Sequence, residues 1–193
     1  STIGVGVYIV ILLLIFGMYL YTYRRKLLDT LRNTFFFTIL MAILITAAFL
    51  VSQFAPVGYI YLIPFAWGPI ITRVFYDSRT AIFIHLITTL IVSVAVPAPY
   101  VFITLQIIGG IVAVISLRDM TQRAQLAQTA LFTFLAYSIV YTATSMLMAG
   151  DMTNIDYHYY IYFLINAVLV ICAYGLIFLF ERTFGLVSNI TLV

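Results

Sequence analysis

Charge is what this sequence has least of. Only 8% of its 193 residues are Asp, Glu, Lys or Arg, against roughly 25% in soluble domains, and 65% are hydrophobic. With a mean hydropathy of +1.17, a water-soluble globule is excluded. The single cysteine, Cys172, has no intrachain partner, so a disulfide framework is excluded and the redox compartment is left open. The zinc-protease, nucleophile-elbow and P-loop signatures are all missing. Apart from His85, no ionisable side chain other than tyrosine or Cys172 lies well inside an apolar run. That argues against a proton relay, an ion-coupled transporter or an intramembrane metalloprotease.

What is there is a series of seven apolar runs: Val5 to Tyr23, Phe35 to Ala55, Val57 to Tyr76, Thr80 to Pro97, Tyr100 to Leu117, Ala124 to Met148 and Tyr157 to Phe180. About 20 apolar residues span a bilayer as a helix. Backbone groups in lipid must pair within the protein, and long runs without strict alternation favour helices over a barrel. The expected fold is all-α: one polytopic bundle of seven transmembrane helices over residues 1–185, with the lipid bilayer as solvent. No internal repeat interrupts it.

The nine basic residues define a topology. Arg24, Arg25, Lys26 and Arg32 follow the first run, Arg73 and Arg79 the third, Arg118 and Arg123 the fifth, and Arg182 the seventh. The other connections hold none, and the last of them carries Asp151 and Asp156. The positive-inside rule then places Ser1 outside and Val193 in the cytoplasm. The net charge of +3 is topological in meaning, and no nucleic-acid partner is implied. His85 and His158 fall on opposite sides and cannot share a metal.

Tyrosines cluster at run ends, as interface anchors do: Tyr19, Tyr21 and Tyr23; Tyr59 and Tyr61; Tyr157, Tyr159, Tyr160 and Tyr162. Asn33, Asp77 and Asn154 precede runs as N-caps, and Asp119-x-x-Gln122 has capping-box spacing. His85 lies within reach of the basic interface or of Asp77, which favours a structural hydrogen bond. Pro64 and Pro69 each remove a backbone donor, so the third helix should kink or break near mid-membrane.

Gln106, Thr142 and Asn166 each lie six residues below a run end, about 9 Å deep at 1.5 Å per residue. Ser138, Thr142 and Ser145 share one face of the sixth helix. Gln106, Ser138, Thr142 and Asn166 therefore form a candidate polar cluster in the outer half. Two readings stand: interhelical hydrogen bonding, or a pocket open to the outside.

The last run ends in Glu181-Arg182-Thr183-Phe184-Gly185, followed by Leu186 to Val193. Arg182 suits a helix C-terminus and anionic headgroups, Phe184 the interface, and Gly185 a left-handed cap. The pattern Glu181-x-x-Phe184-Gly185-x-x-Ser188-Asn189-x-Thr191-Leu192 resembles the junction in bacterial seven-transmembrane receptors that carry a cytoplasmic HD phosphohydrolase, the PgpH-type cyclic-di-AMP phosphodiesterases. The resemblance covers the whole chain in layout and the junction in motif. It implies a signal-relay core in the bacterial cytoplasmic membrane. An extracytoplasmic domain would precede it, and residues 186–193 would begin the linker to an HD domain that hydrolyses cyclic di-AMP. That domain would hold a divalent metal pair through His and Asp beyond Val193, so no catalytic or metal-binding residue is carried over to this chain. Glu181, Arg182, Phe184 and Gly185 become a candidate coupling junction. The alternative is a membrane transporter or the substrate-capture component of an uptake system, and homo-oligomerisation is left open.

Overall fold

The computed structural model describes residues 1–117 and 124–185. The Asp119–Gln122 capping box and residues 186–193 lie outside the described residues. The described chain is all-helical. Its helices are α1 (Thr2–Tyr23), the short α2 (Arg25–Leu28), α3 (Leu31–Phe54), α4 (Trp67–Phe75), α5 (Ser78–Ser93), α6 (Pro99–Ser116), α7 (Ala124–Ala149), α8 (His158–Ile171) and α9 (Ala173–Phe184). A 3-10 segment, Val57–Leu62, precedes α4.

Among the described residues, six segments are long and apolar enough to cross a membrane: α1, α3, the Val57–Phe75 stretch, α6, α7 and the His158–Phe184 stretch. The remaining run, α5, has 16 residues and rises about 24 Å, short of the roughly 30 Å hydrocarbon core. It is the central helix, enclosed by α1, α3, α4 and α6. Thr80, His85, Thr88, Thr89 and Ser93 on it are all buried. A helix surrounded by protein does not need the length or the uniform apolarity that lipid contact demands. By contrast, only 22% of the α1 span is buried, which suits a peripheral helix facing lipid.

The third run breaks, as its prolines require. The 3-10 segment ends at Leu62, a turn follows around Pro64, and α4 begins at Trp67. The break falls at Pro64. Pro69 sits third in α4, where its missing N–H is one of the unpaired amides of a first helical turn. Irregular backbone at membrane depth survives only inside protein, and 72% of this span is buried.

Contacts sort the helix ends into two groups. At the basic end, Arg24 pairs with Asp77 at 3.3 Å, and Phe36 meets Phe75, Tyr76, Phe180 and Phe184 edge-on. This end thus gathers the C-termini of α1, α4 and α9 and the N-termini of α3 and α5. The other end is tyrosine-rich: Tyr59 meets Tyr162, and Tyr61 and Tyr141 both meet Tyr159. Asp77 caps α5, accepting from the Thr80 amide at 3.1 Å and the Thr80 hydroxyl at 2.8 Å. Asn33 is not a cap. Thr30 precedes α3, and Asn33 accepts the Tyr76 hydroxyl at 2.6 Å, tying α3 to the end of α4. Nor does Asn154 cap α8, whose first amide, that of His158, donates to Asp156.

Candidate functional site

The broken third helix leaves carbonyls without helical partners, and α8 supplies donors. Asn166, 1% exposed, donates its side-chain amide to the carbonyls of Tyr61 at 3.0 Å and Ile63 at 2.9 Å. One turn further on, the Trp67 indole N–H donates to the Leu169 carbonyl at 2.7 Å. There the seventh run is itself interrupted. Cys172 separates α8 from α9, and the Gly175 amide reaches back only three residues, to the Cys172 carbonyl. A side-chain donor entering the helical ladder is a recognised cause of a kink. The seventh run is therefore two helices, with its outer half pinned to the break in the third.

Gln106 organises a second polar centre. Its side-chain oxygen accepts the Tyr137 hydroxyl at 2.6 Å. Its main-chain carbonyl pairs with His85 Nε2, and because a carbonyl only accepts, that nitrogen carries the proton. All three side chains are buried. His85 thus turns to α6, not to Asp77. The approach depends on two glycines a turn away: a methyl on Gly110 would overlap the His85 ring, and one on Gly109 would strike the Tyr137 ring. Gln106 and Asn166 share one apolar setting, in which Tyr137 stacks on Phe163, but no hydrogen bond joins them. Among the described residues, the side-chain nitrogen of Gln106 and oxygen of Asn166 have no partner.

Ser138 and Thr142 lie elsewhere. The inward stripe of α7 is Leu126, Ala130, Thr133, Tyr137, Tyr141 and Thr144, and Ser138 and Thr142 sit one residue round from it. They line an open groove with Ile139, Met146 and Tyr160, where Thr142 pairs with the Tyr160 hydroxyl and bonds back to the Ser138 carbonyl. The four outer-half polar residues thus divide into two core amides and a pair on the bundle's flank.

At the junction, α9 ends at Phe184, and Gly185 follows in the left-handed conformation, φ 65° and ψ 25°. Phe184 stacks on Phe180 at 5.5 Å and meets Phe36 at 6.1 Å, so it packs on the bundle as well as marking its edge. Arg182 in the last turn is exposed and Glu181 half-buried. At the same end of the bundle, the Tyr19 hydroxyl bonds that of Thr80, whose cap Asp77 pairs with Arg24.

Among the described residues no three of His, Cys, Asp or Glu come together. The residues present do not fit a metal pair. Trp67, His85, Gly109, Gly110 and Tyr137 were not singled out as site residues by sequence reasoning. The one sequence feature that could have marked them is the pair of adjacent glycines, Gly109 and Gly110, in a membrane helix.

One comparison returns a family. The family model for the 7TM receptor with intracellular HD hydrolase matches residues 1–188. No curated protein and no solved structure matches the chain.

Proposed function

Because the chain belongs to the family of 7TM receptors with an intracellular HD hydrolase, we propose that it is the signal-relay core of such a receptor in a bacterial cytoplasmic membrane. In this reading it crosses the membrane seven times, α5 included, with Ser1 outside and α9 delivering the chain to a cytoplasmic hydrolase. The absence of Lys and Arg from residues 53–58, 94–99 and 150–157, against the basic residues at the opposite end, supports that orientation. The resemblance of the Glu181–Leu192 motif to PgpH-type junctions supports cyclic di-AMP as the hydrolase's substrate. The metal pair of that chemistry would be held by the hydrolase and not by this chain, whose part is to bind, orient and transmit. Family membership favours this reading over the transporter alternative.

The observation that carries the proposal is the way α9 is held. Its outer neighbour α8 is fixed to the broken third helix by Asn166 and by Trp67. Its own end is held by the Phe36–Phe180–Phe184 stack. A signal passes only if its two states differ in the position of an element that both sides touch. In this reading the His158–Phe184 stretch, interrupted at Cys172 and packed at both ends, serves as that element.

The test is a two-residue flexible insertion after Gly185 in the full-length receptor. A relay predicts normal membrane insertion, with signal-dependent cyclic-di-AMP hydrolysis lost or locked. Unchanged regulation would leave Glu181 to Gly185 a passive tether.

A further inference from the structure

At the tyrosine-rich end, the 3-10 segment, the α5–α6 turn, α7 and α8 line a half-open cavity of about 180 Å³. Cavities of about 150 Å³ admit a benzene ring, so this one takes a molecule of one ring with a short substituent. Its wall includes Tyr61, Tyr141, Tyr159 and Ser145, and Val101 and Met148 add apolar lining. Tyr61 is only 4% exposed, and its ring is held between Tyr159 and Phe163. A buried tyrosine hydroxyl ordinarily finds a partner. Tyr141 has one, the Asp156 amide, at 3.0 Å. Tyr61 and Tyr159 both line the cavity, so their hydroxyls are polar groups an occupant would meet.

The charge of that occupant follows from its surroundings. The connections at this end, residues 53–58, 94–99 and 150–157, contain no Lys or Arg, whereas the last of them carries Asp151 and Asp156, both exposed. Hydrogen bonds from Thr153 and His158 hold both carboxyls below the usual carboxylate range, so both are charged at neutral pH. An end of the bundle that carries carboxylates and no Lys or Arg favours cations, and the tyrosine rings of the wall favour them further. An anion would meet neither a counter-ion nor a favourable ring.

We propose that this cavity binds a small organic cation, an aromatic or similarly compact amine, with its apolar body against Val101 and Met148 and its head hydrogen-bonded by Tyr61 and Tyr159. The site lies within the membrane core itself, and binding does not depend on a hydrolase being attached.

The experiment uses the chain in phosphatidylcholine nanodiscs, where the lipid carries no net charge. Three probes share one ring and differ in the charge of the head: benzylamine, benzyl alcohol and benzoate. Calorimetric titration should show saturable binding of benzylamine, weaker binding of benzyl alcohol and none of benzoate. Tyr61→Phe should weaken benzylamine about fivefold, the worth of one hydrogen bond. Ala98→Trp, at an exposed lining position, should abolish binding without touching the core, and decides the question if Tyr61→Phe does not fold. Equal uptake of all three probes, benzylamine binding that survives Ala98→Trp, or no saturable binding to the unsubstituted chain would each overturn the proposal.

Discussion

The Trp67 indole donates to the main-chain carbonyl of Leu169 across 102 positions of sequence, joining the start of α4 to the kink between α8 and α9. Trp67→Phe keeps most of the apolar surface and removes the donor. Interhelical hydrogen bonds in membranes are worth about 0.6 kcal/mol and up to about 2. The variant should lose a stability in that range in reversible unfolding from mixed micelles. Stability equal to that of the parent would remove the bond from the account of the kink.

Asn166 serves two carbonyls at once; without it the Ile63 carbonyl still accepts from the Phe65 amide, but the Tyr61 carbonyl loses its donor. Asn166→Leu should cost about 1–3 kcal/mol for that buried acceptor left unpaired. Asn166→Asp, equal in size but without the amide's donors, should cost at least as much. If Asp were tolerated like Asn in the same assay, the hydrogen bonds to Tyr61 and Ile63 would not be what holds the break.

Gly110→Ala forces a methyl into the His85 ring, and overpacking of this kind costs about 1–3 kcal/mol. His85→Ala alone strands no essential donor on α6 but opens a gap. Combining the two should restore part of the loss, since residues in contact are not additive. Strict additivity in a double-mutant cycle would show that the glycine is not there for the histidine.

Much of this was legible in the sequence for local reasons. Pro64 breaks the third helix because a missing N–H and a ring clash act on the adjacent turn, whatever the fold. Asp77 caps α5, and Gly185 takes the left-handed turn, for equally local reasons. The kink at Cys172 was not legible, because its donor is contributed by Trp67 from another helix. The outer polar residues show a second limit. Helical rise gives the depth of Gln106, Thr142 and Asn166 but not their direction. Tyr137 and Tyr141 claim the inward face of α7 and turn Ser138 and Thr142 to the flank. His85 reached α6 because Gly110 leaves room there, and the partner of a buried histidine is set by packing.

Asp156 gives a pH dependence with a definite sign. The His158 amide donates to its carboxylate at 3.0 Å, and the His158 ring lies 2.9 Å away. These bonds favour the charged form and lower its pKa from the ordinary 3.8. A depressed folded pKa contributes stability that is complete above the unfolded value and lost as pH falls through the folded one. Order at the start of α8, followed by the His158 amide resonance, should hold steady above the ordinary carboxylate range and decline progressively as pH falls through that range and below it. Asp156→Asn should flatten that decline, and a parent-like pH profile in that variant would assign it to another group.

The orientation of the bundle underlies the receptor reading, and cysteine accessibility in intact cells tests it most directly. In a Cys172→Ser background, Asp151→Cys marks the tyrosine-rich end and Ser188→Cys the chain beyond α9. The account predicts that an impermeant maleimide labels position 151 from outside and reaches position 188 only after the membrane is permeabilised. Labelling of position 188 in intact cells, with position 151 protected, would put the junction on the wrong side of the membrane for a cytoplasmic hydrolase and contradict the relay.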